Sequence, residues 1–502
     1  MPIELASVLT TYRFDVDIVS PLHVGMAQEK HYVRGLDYLL DDKTVQLINA
    51  DALLRAMNPQ ERNNLTAQLA AGKTEGLEPT IRQLLPKYPA MKGLQLPLAK
   101  GEPAEIRRMY QTGLGQYAIP GTSVKGALRS VLLATRKTEP GQQRNSENDL
   151  LGMFEKSVMR FVHVGDMAVP AAQMAVWGTK IYSADSKAHN IETRGEWKHG
   201  RTSSHSSKFD DTNPRYEKDA FMTFYELAIP DSIQANPLEL TIRLGQQLPH
   251  ALKQYAEANI PGYQKLLDGK PGDWLVQTIR AHTKRFLERE RQYFEKFDNK
   301  DLNDRQSILD YIDAILAENN HTDACLLRVG AGVGFHSITG DWQFNDHTAQ
   351  WNTDKNAIRH KTRKFAVDRR EGKPRFELMG FLKLTRQTEA SKIARQQRQY
   401  GLLQQAQAAA EAEAKRLEDD RLAAEEARKP KVHPGPVTKG MEVDAEVVIS
   451  AKPNRVKIFV AGYEDKQFEM IDSAQQLKGY TCRVALVIEK GKILRVRHLT
   501  KK

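Results

Sequence analysis

The residues best suited to chemistry sit in AIPGTSVKGALRSVLLATRK, residues 118 to 137, where Gly121, Ser123, Lys125 and Arg129 open a helix-patterned stretch behind a Pro-Gly turn. Glycine and lysine at a helix N-terminus form a phosphate-binding combination, because free amides and the helix dipole both favour an anion there. Val124, Ala127, Leu128, Val131 and Leu132 recur at helical spacing and predict one buried face. Thr122 or Ser123 is expected to cap the first amides through a side-chain oxygen. Lys125 and Arg129 are four residues apart and project side by side, with Arg136 on a similar azimuth further along. The stretch is not a Walker A loop. Lys125 precedes Gly126, no Ser or Thr follows the pair to hold magnesium, and no apolar strand runs straight into the turn. That speaks against nucleotide hydrolysis. A nucleic-acid backbone remains as ligand, with a capped core helix carrying a solvated basic stripe as the plain alternative.

Two further stretches bear on phosphate. RVGAGVGFHSITG, residues 328 to 340, begins at Arg328, places Gly330, Gly332 and Gly334 at alternate positions and carries His336. A dinucleotide fingerprint would need GxGxxG opening a helix after the first strand of a βαβ unit, which this late segment lacks. Alternate glycines instead let another backbone approach closely, or form a bulged loop with exposed amides. RHKTRKFAVDRREGKPR, residues 359 to 375, carries Lys or Arg at 8 of 17 positions against two acids, among them Lys361, Arg363 and Lys364. One such run is ordinarily a solvated surface. Three separate basic or glycine-rich loops in one chain favour a nucleic-acid path.

Bond breaking is less well served. Metal-independent RNA cleavage needs a general base near the 2′-hydroxyl and an acid at the leaving oxygen, with His the usual choice. The chain has 14 His, including His23, His163, His189, His199, His205 and His336, and none stands beside a second His and a Lys or Tyr in a recognisable arrangement. His189, His199 and His205 lie in a polar insert, at gaps that fit no zinc template. His163 alternates with apolar neighbours in FVHVGDMAV and reads as structural. Cys325 and Cys482 are the only cysteines, too few for a zinc knuckle or a disulfide framework. No metal and no cofactor is expected.

The elements that must position these residues follow from patterning. TYRFDVDIV (11–19), FVHVGDMAV (161–169), FMTFYELAI and LELTIRLG read as strands, and SPLHVG (20–25), with His23 and Gly25, breaks the first. Two short strands around Asp41-Asp42 lead to a helix capped near Asn49. The expected organisation is a core over 1–249 with a polar insert at 183–218, a helical region at 250–320, and strands with the glycine loop at 321–386. Ile279, Phe286, Leu287 and Phe294 share helical spacing within the second of these. Residues 387–430 carry 8 basic and 8 acidic residues and a poor heptad pattern, so a solvated spacer helix of ~65 Å is expected. Residues 431–502 then give five short strands, with 14 basic against 8 acidic residues: a small basic barrel, OB-like or SH3-like, suited to nucleic-acid backbone.

At 502 residues the chain suits two to four domains, and Lys+Arg 74 against Asp+Glu 63 gives +11, which favours a polyanionic partner. The first residues show no charged start followed by an apolar run, and no apolar stretch approaches the ~20 residues of a spanning helix. A cytoplasmic protein with no membrane partner is expected.

Taken in order, SPLHVG, IPGTSVKGALRSVL, FVHVGDMAV, LLRVGAGVGFHSITG and KTRKFAVDRREGKPRFELMGFLKL resemble the RAMP superfamily of CRISPR-associated proteins, most closely the family of fifth subunits of the Csm (type III-A) effector complex. The likeness covers roughly residues 10 to 386. It implies an α+β chain with an RRM/ferredoxin-like core that binds CRISPR RNA without cutting it. It also implies a place at the end of the filament of backbone RAMP subunits, toward the 3′ end of the guide, and a need for the protein in guide maturation and antiviral defence. Target RNA and a host trimming nuclease are further partners it brings into view. Carried over by position, Gly121, Ser123, Lys125 and Arg129 would lie by the RNA phosphates, as would His23 and Gly25. The spacer helix and barrel depart from the family pattern. The competing class is an endoribonuclease on the same fold that processes precursor CRISPR RNA; a translation-associated RNA binder would leave the first 386 residues unexplained.

Overall fold

Alternation in TTYRFDVDI builds the strand Thr10–Ile18, which turns Phe14, Val16 and Ile18 inward and lies at the middle of a five-stranded sheet. The computed structural model describes residues 9–26, 31–71, 77–99, 101–138, 146–184, 195–197, 222–230, 237–245, 248, 250–264, 271–295, 303–321, 323–334, 350–352, 357–359, 362–368, 374–428, 432–474 and 476–499. On one side the central strand pairs antiparallel with Leu238–Leu244, Phe14 opposite Leu240; on the other it pairs with Phe381–Arg386, Val16 opposite Leu384. Val162–Val164 and Ala324–Arg328 complete the sheet at its two edges. The helix Gly121–Lys137 comes between the first strand and Val162–Val164, and the helix Pro271–Glu295 follows Leu238–Leu244. Without the added edge strand Ala324–Arg328, this is the βαββαβ order of a ferredoxin-like core, as expected. Val124, Leu128 and Val131 of one helix and Leu275, Val276 and Ile279 of the other pack with Phe14, Val16, Ile242 and Leu384 in one apolar cluster.

A second sheet runs Arg375–Leu378, Thr362–Asp368, Met174–Ala184, Thr223–Ala228, Glu105–Arg107, His31–Val33. Its back is closed by the helices Pro271–Glu295 and Asn303–Glu318, through Phe286, Leu287, Phe294, Ile308 and Ile312. Phe294 sits at 5.5 Å from Tyr182 and 5.8 Å from Phe365, ring centre to ring centre. The two short strands expected around Asp41-Asp42 are Tyr38–Asp41 and Thr44–Ile48, and Asn49 caps the helix Ala50–Ala56 by accepting from the Ala52 amide at 3.1 Å. Most of the polar insert, including His189, His199 and His205, lies outside the described residues, although Gly195–Trp197 pairs with Met174–Ala184.

Compactness divides the chain into residues 1–395 and 396–502. The first unit ends just inside the 40-residue helix Glu389–Arg428, where Arg395 reaches Asp15 and donates to the Pro237 carbonyl at 2.5 Å. In the second unit, Glu442–Ile449, Asn454–Ile458, Gln467–Ile471, Thr481–Glu489 and Lys492–His498 close a barrel around Val447, Ile458, Met470, Leu486 and Val496. Numbered along the chain its strands run 1-2-3-5-4, with the third and fifth parallel and Met470 opposite Val496. That is the OB arrangement, which decides between the two expected barrels. No helix among the described residues is long and apolar enough to cross a membrane.

Phe294 gives the packing a direct check. It is fully buried amid aromatic rings, so Phe294→Ala should cost about 3–5 kcal/mol of stability in thermal or denaturant unfolding. A loss below about 1 kcal/mol would mean the helix does not close this core.

Candidate nucleic-acid interface

The helix Gly121–Lys137 begins differently from its sequence expectation. Its cap position is Pro120, which has no side-chain acceptor, and neither Thr122 nor Ser123 caps. The first amide is satisfied from far along the chain: Gly121 N–H donates to Asp166 Oδ1 at 2.6 Å. A carboxylate at the positive end of the helix is favourable, and it occupies the amide a phosphate would have used. Gly121 is required here, because a Cβ would lie 2.2 Å from the Val164 carbonyl oxygen. The turn carrying Asp166 therefore passes directly against the helix. Ser123 is half-buried in the first turn, and its amide donates to the Pro120 carbonyl at 3.0 Å.

Lys125 is half-buried on the outer side of this helix and Arg129 pairs with Glu147. Burial pulls both cations below their ordinary pKa. Near Lys125 is His163, which the sequence reads as structural. It is exposed. On Val162–Val164 its neighbours turn inward or sideways while its own ring faces solvent, and Arg243, also exposed, stands directly across the ladder. Partial burial, then the charges of Lys125 and Arg243, lower the His163 pKa, which keeps the imidazole neutral at pH 7. Lys125 and Arg243 thus form one cationic patch around the neutral His163 ring, where helix and sheet edge meet. Arg243 escaped the sequence reading, although the alternation Leu240, Ile242, Leu244 already turns it outward.

A family model described as the RAMP superfamily matches residues 15–335, well over half of the 502. This chain belongs to the RAMP superfamily. Among solved structures it is similar to a chain in a cryo-EM structure of a Csm–crRNA–target RNA ternary complex of a type III-A CRISPR-Cas system. The two are 16% identical, with a TM-score of 0.49 over 75% of this chain and 100% of that one. It is also similar to a crystal structure of T. onnurineus Csm5, at 15% identity and a TM-score of 0.44, over 73% of this chain and 99% of that one. No curated protein matches the chain.

In this RAMP chain the first loop and the glycine loop do come together. Ala331 N–H donates to the His23 carbonyl at 2.7 Å, and a Cβ on Gly330, whose φ is +96°, would lie 2.3 Å from that oxygen. Gly25 is exposed at the loop's end and bridges Met109. His23 itself is only 3% exposed; its Nδ1 lies 2.8 Å from the Glu226 carbonyl and its ring meets Tyr225 edge-on at 4.9 Å. Lys364 reaches the same Tyr225, its Nζ donating to the hydroxyl at 2.9 Å. Gly332 packs beside Lys364, whereas Gly334 is exposed with nothing near its missing Cβ.

Two expected phosphate ligands are instead interior. Arg328 donates to the Met379 carbonyl at 2.9 Å, stacks on Phe286 at 4.8 Å and Phe381 at 5.1 Å, and its pKa is pushed by burial down to about 10. Arg363 is paired with buried Glu290 and lies 4.0 Å over the Tyr293 ring. Both guanidiniums are consumed in packing. His336 and Lys361 lie outside the described residues.

Sequence reasoning also missed Glu226. Its carboxyl group is fully buried, accepts from the Tyr117 hydroxyl at 2.6 Å and from the Met109 amide at 2.8 Å, and its pKa is raised by burial to about 7. A raised carboxyl pKa favours the protonated fold, so its contribution is present below the ordinary range near 4.5 and is lost as pH climbs through about 7. Melting temperature should accordingly fall between pH 5 and 8 in the wild type, and Glu226→Gln should flatten that slope. An unchanged slope in the variant would assign the pH dependence elsewhere.

Proposed function

We propose that this RAMP chain is a non-catalytic subunit that holds the backbone of a CRISPR guide RNA within a Csm-type (III-A) effector complex, beside backbone RAMP subunits and toward the 3′ end of the guide. One observation carries the reading: Lys125, His163 and Arg243 are gathered at the surface by the helix that bears the IPGTSVKGALR signature and by the sheet edge next to it. The order of motifs from SPLHVG to the basic run at 359–375, within a chain of this superfamily, supports the guide RNA as the polyanion. Guide maturation then depends on the subunit because it covers the 3′ portion and so governs a separate trimming nuclease. Target RNA paired to the guide is the further polyanion in reach.

The histidines support a reading without catalysis. His23 is buried with its Nδ1 engaged by a backbone carbonyl, so it cannot meet a 2′-hydroxyl. His163 is exposed but has cations for neighbours, and among the described residues no acid or second base hydrogen-bonds to it.

Replacing Lys125 and Arg243 together by Ala should weaken binding of single-stranded RNA at least about ten-fold and leave stability within about 0.5 kcal/mol of wild type. The salt slope, log K against log [salt], should become shallower by about 0.7 for each phosphate no longer neutralised. Equal affinity and slope in the double variant would sink the assignment. In a separate assay, labelled precursor RNA should stay uncut by the purified chain, with or without magnesium or manganese. Discrete cutting that disappears in His163→Ala would make the protein an endoribonuclease.

A further inference from the structure

At one end of the C-terminal barrel, exposed apolar side chains and cations share a surface. Gly479 N–H donates to the Val447 carbonyl at 2.8 Å and Val447 N–H to the Tyr480 carbonyl at 2.9 Å, which lays Leu477–Tyr480 along the end of the first barrel strand. Ile449, Leu477 and Tyr480 are 44%, 81% and 42% exposed there. Asn454, itself 1% exposed, ties the neighbouring segments: its Nδ2 donates to Ser473 Oγ at 3.0 Å and to the Ala474 carbonyl at 2.8 Å, while its Oδ1 accepts from the Gln476 amide at 3.0 Å. The platform is therefore rigid without a ligand.

Cations ring it. Lys452 lies in the connection between the first two strands, Arg455 stands opposite Ile449 on the second strand, and Lys478 is next to Leu477. Arg483 pairs with Glu442 and Asp444, and Arg497 with Asp472, which leaves Lys452, Arg455 and Lys478 with no ion-pair partner among the described residues. Two acids stand in the adjoining ladders, Glu469 across from Arg455 and Glu446 across from Thr481.

We infer that this end of the barrel is a second, independent site for single-stranded RNA, in which Tyr480 stacks on a base while Lys452, Arg455 and Lys478 hold flanking phosphates. An aromatic face beside surface cations is how sequence-tolerant single-strand binders work. In an OB barrel, the second strand and the connection before it are the elements that meet oligonucleotides. The net +6 of residues 431–502, 14 basic minus 8 acidic, favours a polyanion over an apolar protein partner for the same surface.

The test uses the full chain and a fluorescent single-stranded RNA of about a dozen nucleotides. Lys452→Glu with Arg455→Glu, and separately Tyr480→Ala, should each weaken binding about ten-fold, whereas Tyr480→Phe keeps the ring and should bind as wild type. Lys466→Glu, at the opposite end of the barrel, should leave affinity unchanged, and all variants should melt alike. Unchanged RNA affinity in the first two variants overturns the inference, and does so equally if they shed a protein partner instead. The Lys125/Arg243 double variant measured in parallel separates the two sites. Weakening in that variant alone overturns the barrel site and leaves the guide-binding patch standing; weakening in the barrel variants alone does the reverse.

Discussion

A single buried carboxyl group holds the loops of the first unit in register. Glu226 accepts from the Tyr117 hydroxyl and the Met109 amide, and its own backbone carbonyl engages the His23 ring. Two residues on, Ala228 and Leu22 exchange backbone hydrogen bonds at 2.8 and 2.9 Å, so the SPLHVG loop is fixed by the same strand. Tyr117 lies three residues before Pro120, so the same carboxyl group also ties down the approach to the signature helix. Removing either partner of such a buried bond would leave the other unsatisfied, a cost of about 1–3 kcal/mol. The group is expensive to bury charged, which is why its pKa rises, and the hydrogen bonds limit but do not reverse that rise.

Charge in this chain does two unlike jobs, and composition cannot tell them apart. Arg328 and Arg363 sit in a loop and a run that look like phosphate ligands, yet each has an aromatic ring under its guanidinium, and Glu290 neutralises the second. Lys364, the next residue, points the other way, as strand alternation requires, and meets Tyr225. Lys125 and Arg243, on the outer faces of a helix and a strand, remain toward the surface instead. A net charge of +11 therefore predicts a polyanionic partner but not where it binds.

What could be read in advance was what short-range periodicity encodes. All five barrel strands, the burial of Ile279, Phe286, Leu287 and Phe294, and the Asn49 cap are local signals, and each appears in the structure. What could not be read depends on residues distant in the chain. Asp166 caps a helix that begins 45 residues earlier, and no short window around Gly121 contains it. The exposure of His163 was unreadable for a related reason: three residues of alternation fix that one side of a strand differs from the other, but an edge strand this short leaves open which side the core takes.

The glycine loop shows how the same residue type divides its uses within five positions. Gly330 is glycine because the His23 carbonyl crosses it, and Gly332 because Met379 Sδ would lie 2.8 Å from a Cβ. Both allow the loop to be pressed onto its neighbours, which takes their backbone out of contention as an open phosphate cradle. Gly334, with φ at +75° and open space around it, is the position where the loop leaves that packing. The loop therefore acts chiefly as a clasp on the first loop, holding Gly25 at the surface. The surface available to a polyanion shifts accordingly toward the signature helix and the sheet edge beside it, where side-chain charge rather than exposed amides provides the attraction.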